Sequence, residues 1–109
     1  MAVHNGVEEI SGNHFEERIK KGLFVVDFFA EWCMPCVMMA PVVEDLADKF
    51  KGKINFLKAN VDENSSLSNK FKVMSIPTLI IFKDGKEVDR MIGSQSADIL
   101  EEKLKNIAK

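Results

Sequence analysis

The sequence predicts an α/β fold, a central mixed sheet of about five strands flanked by four helices. Three observations lead there. Residues 23–30 (LFVVDFFA) and 77–82 (PTLIIF) are nearly continuous apolar runs, as expected of strands buried on both faces. From Cys33 the period changes: Cys36, Ala40, Val43, Ala47 and Phe50 recur at fours and threes, the pattern of a helix face. Asp84-Gly85 then joins 77–82 to 87–92 with a strong hairpin signal.

Taken in order, residues 7–10 form a short edge strand. Asn13 followed by Glu16 reads as a capping box, and Phe15 and Ile19 share a face, so 13–21 is a helix ended by Gly22. The run 23–30 is the first buried strand. The helix after it has Met39, Val42 and Leu46 widening its apolar face, and Gly52 closes it. Pro41 lies inside that helix, lacks a backbone donor and predicts a kink. Residues 54–61 (INFLKANV) make a parallel strand reached by a right-handed crossover. A short helix over 65–71 precedes the 77–82 strand and its hairpin. From about Ser96, Leu100, Leu104 and Ile107 line one face of a closing amphipathic helix. The order is β-α-β-α-β-α-β-β-α. With no repeat or linker-like run, residues 1–109 read as a single domain with helices on both faces of one sheet.

Composition narrows the function. A chain of 109 residues can bury roughly two-thirds of its unfolded surface in one core. A net charge of −2 offers no basic patch for nucleic acid. The apolar runs fall far short of the roughly 18 residues that a membrane span needs. The N-terminus has no basic stretch followed by an apolar one, which favours a cytoplasmic protein without a leader. No apolar helix stripe is left over, so a monomer is expected.

The chemistry lies in EWCMPCVMM, which holds both cysteines of the chain, Cys33 and Cys36, beside its one tryptophan, Trp32. As a permanent staple, a disulfide closing a four-residue loop contributes only roughly 2 kcal/mol. A zinc site needs four ligands, and beyond carboxylates only the upstream His4 and His14 remain. Copper(I) suits thiolate and thioether, yet Met38 and Met39 fall into the helical core pattern, where methionine commonly fills gaps. No metal is expected. A redox pair fits better. At a helix N-terminus the free N–H groups and the dipole favour an anion, which stabilises a Cys33 thiolate. Pro35 lacks only a donor that would have no partner there. Cys36 lies one turn on, on the apolar face, and is expected to be the more buried. Residues three apart on a helix bridge with little movement. Cys33 is then the nucleophile and Cys36 the resolving thiol of a dithiol–disulfide exchange.

VDFFAEWCMPC, KANVDEN and SIPTLIIFKDG together resemble thioredoxin over nearly the whole chain. The resemblance implies the thioredoxin fold and a protein-disulfide reductase whose redox-active Cys33–Cys36 disulfide forms reversibly without another cofactor. It also implies disulfide-containing client proteins and a thioredoxin-reductase-type electron donor. Asp27 interrupts an apolar strand; burial raises a carboxyl pKa, and such a group either accepts the Cys36 proton or merely sits satisfied by backbone donors. The resemblance favours the first. Lys58 either snorkels at a strand edge or, as the resemblance implies, tunes Asp27. Read from the residues alone, Pro77 is a trans proline opening its strand. The resemblance implies a cis proline beside the cysteines, with Ile76 backbone free to pair with a client strand. Trp32, Met34, Pro35, Ile76 and the Ile92-Gly93 end of the hairpin should rim the site as a shallow apolar surface. Gly93 makes room for client backbone or is an ordinary turn glycine.

Three positions depart from the usual pattern: Met34 replaces a glycine, Val37 a common lysine and Phe29 a frequent tryptophan. None adds a histidine between the cysteines, so a reducing dithiol is expected. A thiol oxidase or isomerase, and a binding subunit using the same fold, are the competing readings.

Overall fold

Two strands buried on both faces organise the molecule. In the computed structural model, which describes residues 3–4 and 6–109, β3 (Leu23–Phe29) and β5 (Thr78–Lys83) run antiparallel at the sheet centre. β4 (Asn55–Asn60) lies parallel to β3 on its other side, with Asp27 opposite Lys58. Outside β4 come β2 (Val7–Glu9), parallel to it, and β1 (Val3–His4), antiparallel to β2. The opposite edge is β6 (Lys86–Ile92), so the order is β1-β2-β4-β3-β5-β6. The five expected strands are all present. The two-residue β1 adds a sixth and places residues 7–9 one position in from the edge.

Period-two alternation divides the side chains between two layers. Val25, Leu79 and Ile81 pack against α2 (Met34–Lys49) and α4 (Ala97–Ile107) through Met39, Val43, Leu46, Leu100 and Leu104. Phe24, Val26, Phe28, Ile80 and Phe82 face the other way, onto Phe15 and Ile19 of the α1 region and Leu67 of α3. α1 spans Phe15–Arg18 and α3 spans Ser65–Lys70. Ser96 caps α4, accepting the Ile99 N–H at 3.3 Å. α2 runs unbroken through Pro41.

The first helix is shorter than its sequence suggests. A 3-10 turn over Gly12–His14 leads into four α-helical residues, and the Asn13–Glu16 capping box does not form. Instead Asn64 Oδ1, from the far side of the chain, accepts the Gly12 N–H at 2.7 Å. A tertiary bond, not a local cap, fixes that entry.

The hairpin behaves as Asp-Gly dictates. Asp84 and Gly85 both have positive φ, 50° and 86°, the twist a two-residue loop needs. Asp84 Oδ1 also accepts the Gly22 N–H at 2.8 Å, tying the hairpin to the start of β3. On the layer below, Phe15, Phe71 and Phe82 form an edge-to-face triad with centroids 5.2 to 5.5 Å apart. Each ring comes from a different part of the chain. Phe82→Ala should therefore cost about 3–5 kcal/mol in urea unfolding, with an unchanged m value. A loss below about 1 kcal/mol would show that the triad is not a core element.

Candidate active site

The site is built where β3 ends and α2 begins. Cys33 is the N-cap of α2, in extended conformation, and its Sγ accepts the Cys36 N–H at 3.3 Å. One otherwise unpartnered amide of the first turn is thus aimed at sulfur. Pro35, in that same turn, has no N–H to leave unpaired. Cys33 and Cys36 are joined as a disulfide with their Cα atoms 5.3 Å apart. They are equally buried, at 5% and 4% exposure, so the expected burial difference is absent. What differs is direction. Cys33 Sγ lies 3.9 Å from the Ile76 carbonyl oxygen, whereas Cys36 lines a cavity beneath α2.

The Ile76–Pro77 bond is cis, which corrects the trans proline read from the residues alone; β5 begins one residue later, at Thr78. Gly93 N–H donates to the Pro77 carbonyl at 2.8 Å, bringing the end of β6 to the same place. Gly93 has φ +85°, and an added Cβ would meet no atom within 4 Å. Glycine is demanded there by the backbone, and the space beside it is open. Trp32, Met34, Pro35 and Ile92 are exposed around the disulfide, and Ile76 is half-buried.

Several rim features were not read from the sequence. Trp32 Nε1–H donates to Asp62 Oδ2 at 2.8 Å, which fixes the indole. Met74, on the loop that carries Ile76, is 92% exposed. Met38 is 70% exposed, which overturns its assignment to the helix core; only Met39 turns inward. Asp62 lay within KANVDEN, but nothing local links it to Trp32.

Behind the disulfide, a cavity of about 250 Å3 is lined by Asp27, Phe29, Ala30, Cys36, Ala40 and Lys58, among others. Asp27 is buried, and its Oδ1 has no hydrogen-bond partner. The reading of a satisfied structural carboxylate is therefore wrong for that oxygen. Burial pushes the Asp27 carboxyl from 3.8 up to about 7, against the opposing pull of the Lys58 ammonium. Lys58, half-buried, holds its Nζ 5.5 Å from the centre of the Phe29 ring.

That shift carries a stability cost with a definite sign. Between 3.8 and about 7 the folded protein keeps a proton that the unfolded chain has released, so stability falls as pH rises through that window. The full cost, on the order of 4 kcal/mol, is present above pH 7 and absent below pH 4. Asp27→Asn should thus gain about that much relative to the parent between pH 4 and pH 8 in urea unfolding. Parallel pH curves for the two proteins would contradict the shift.

Among the described residues no group of three or more His, Cys, Asp or Glu is arranged to hold a metal ion. No helix among them is long and apolar enough to cross a membrane. Comparison with known proteins agrees with this geometry. The thioredoxin family model matches residues 6–106. A thioredoxin of Staphylococcus saprophyticus is 50% identical over 96 residues, covering 88% of this chain and 92% of the relative. One from Staphylococcus aureus is 47% identical over 98 residues, covering 90% and 94%. The solved structure of a mutant thioredoxin from Halobacterium salinarum NRC-1 superposes with a TM-score of 0.87 at 31% identity, covering 100% of this chain and 96% of that one. With a cysteine pair bridged at the start of α2 and family similarity along nearly its whole length, the chain belongs to the thioredoxin family and is a thiol–disulfide oxidoreductase that reduces protein disulfides.

Proposed function

We propose that Cys33 attacks the client disulfide and Cys36 resolves the intermediate. One observation carries this assignment: the Cys33 sulfur receives the Cys36 amide at 3.3 Å beside the exposed rim, while Cys36 shares a cavity with Asp27. In the reduced protein, the Cys33 thiolate attacks one client sulfur and releases the other as a thiolate. Cys36 then gives its proton to Asp27, directly or through a water, and attacks Cys33 Sγ. The second client sulfur leaves, and the Cys33–Cys36 disulfide remains. Two electrons have passed to the client, and a thioredoxin-reductase-type donor returns them.

Lys58 acts on Asp27 by charge, keeping its pKa from rising further. Trp32, Met34, Pro35 and Ile76 meet the client, and the Ile76 backbone pairs with an extended client segment next to Pro77. Gly93 leaves that approach open. An uncharged rim of this kind suits varied, loosely held protein partners, with methionine adapting to each. Residues 1–109 act as a single domain, a cytoplasmic monomer that needs no metal, further cofactor, nucleic acid or membrane.

Three variants test the roles. Cys36→Ser should accumulate a mixed disulfide with a protein substrate, and Cys33→Ser should form none; both should lose turnover. Trapping through Cys36 in Cys33→Ser would reverse the assignment, and activity surviving both changes would favour a binding subunit. Asp27→Asn should slow resolution at least about tenfold at pH 8 and abolish the rise in rate centred near pH 7. An unchanged pH profile would remove Asp27 from the chemistry.

A further inference from the structure

The loop between α3 and β5 carries Ile76, and β6 with the residue after it, Gly93, grips it at both ends. At one end Gly93 N–H donates to the Pro77 carbonyl at 2.8 Å. At the other, Arg90 Nη2 donates to the Phe71 carbonyl at 2.8 Å, where α3 stops. That oxygen belongs to a helix end, where carbonyls lack intrahelical partners. The chain then leaves through Lys72 at φ 54°, with Val73 N–H returning to the Ser68 carbonyl at 2.9 Å.

Arg90 is itself held. Glu87 accepts from its Nε and Nη2 at 2.6 and 2.7 Å. On a regular strand, residues three apart point to opposite faces. Here the register slips between Ile81 and Phe82, so that Glu87 opposes Phe82 and Asp89 opposes Ile81. The additional residue, Val88, brings Glu87 to the side of Arg90. Between the two grips the loop is held by one side-chain bond, Thr78 Oγ1–H to the Ser75 carbonyl at 2.6 Å, and by Val73 and Ile76 resting on the core, while Lys72, Met74 and Ser75 are exposed.

We propose that Arg90, braced by Glu87, is a positioning residue for client binding, setting the 71–77 loop so that the Ile76 backbone meets an incoming strand already ordered. This rests on the reading above that Ile76 receives the client. A loop that must be ordered during docking weakens binding and leaves the later sulfur exchange untouched. Loss of Arg90 should therefore appear in KM.

The test compares two substrates with Arg90→Met, which keeps the apolar stem and removes the donors. With insulin, whose chains can pair with Ile76, KM should rise roughly three- to tenfold while kcat stays within about twofold. With 5,5′-dithiobis(2-nitrobenzoate), which has no peptide backbone, the rate should not change. Arg90→Lys, retaining one donor, should lie between parent and Met variant, and it replaces the Met variant should that one fail to fold. An unchanged insulin KM, or equal slowing with both substrates, overturns the proposal. Amide exchange of Ile76 in a Cys36→Ser mixed disulfide with a peptide separates the two layers. No protection with Arg90 intact ends the Ile76 reading and this proposal with it. Equal protection with and without Arg90 ends the Arg90 role alone.

Discussion

Everything at the site depends on how abruptly a buried strand becomes a helix. β3 is sealed on both faces until Phe29, and α2 starts at Met34, with Cys33 as its cap. The residue at such a cap lies where backbone N–H groups have no partners. In most helices a hydroxyl or carboxamide oxygen satisfies one of them. Here it is a sulfur, and the Cys36 amide that reaches it belongs to the other member of the pair. The device that starts the helix is the same one on which the proposed Cys33 thiolate rests. Strand, cap and redox chemistry are one arrangement.

The second constraint is a conflict that the fold tolerates. An apolar strand does not call for Asp27, and its Oδ1 is buried without a hydrogen-bond partner. Local choices that contradict the surrounding core are expected at working sites, where stability is given up for reactivity. The neighbouring lysine eases the conflict without abolishing it, because burial outweighs its charge. The surrounding layers of Val25, Met39, Val43 and Leu79 hold the strand in place regardless. A carboxyl titrating near 7 is the outcome.

Much of this is legible in the amino-acid sequence, because strong local patterns dominate the central elements. The runs 23–30 and 77–82 had no reading but buried strand, and Asp84-Gly85 no reading but turn. The cysteines followed from their place at that junction. What stayed hidden depended on distance along the chain. Gly12 is fixed by Asn64, Trp32 by Asp62 and Phe71 by Arg90, and none of these pairs has a local signature. Met38 shows a subtler limit. It sits one residue from Met39, yet the turn of the helix between them carries it out to solvent. The periodic face was right in outline and too wide by one residue. The near-equal burial of the cysteines escaped for a similar reason, since helix position does not reveal that Ile76 and its neighbours lie over Cys33.

The most direct test of a reducing dithiol at this junction is its potential. The chain has one tryptophan and no tyrosine, so Trp32 emission reports the neighbouring disulfide almost alone. Titration against defined thiol–disulfide buffers should give a single two-electron transition below about −250 mV. A transition above about −200 mV would contradict a reductant and mark the pair as an oxidase or isomerase centre.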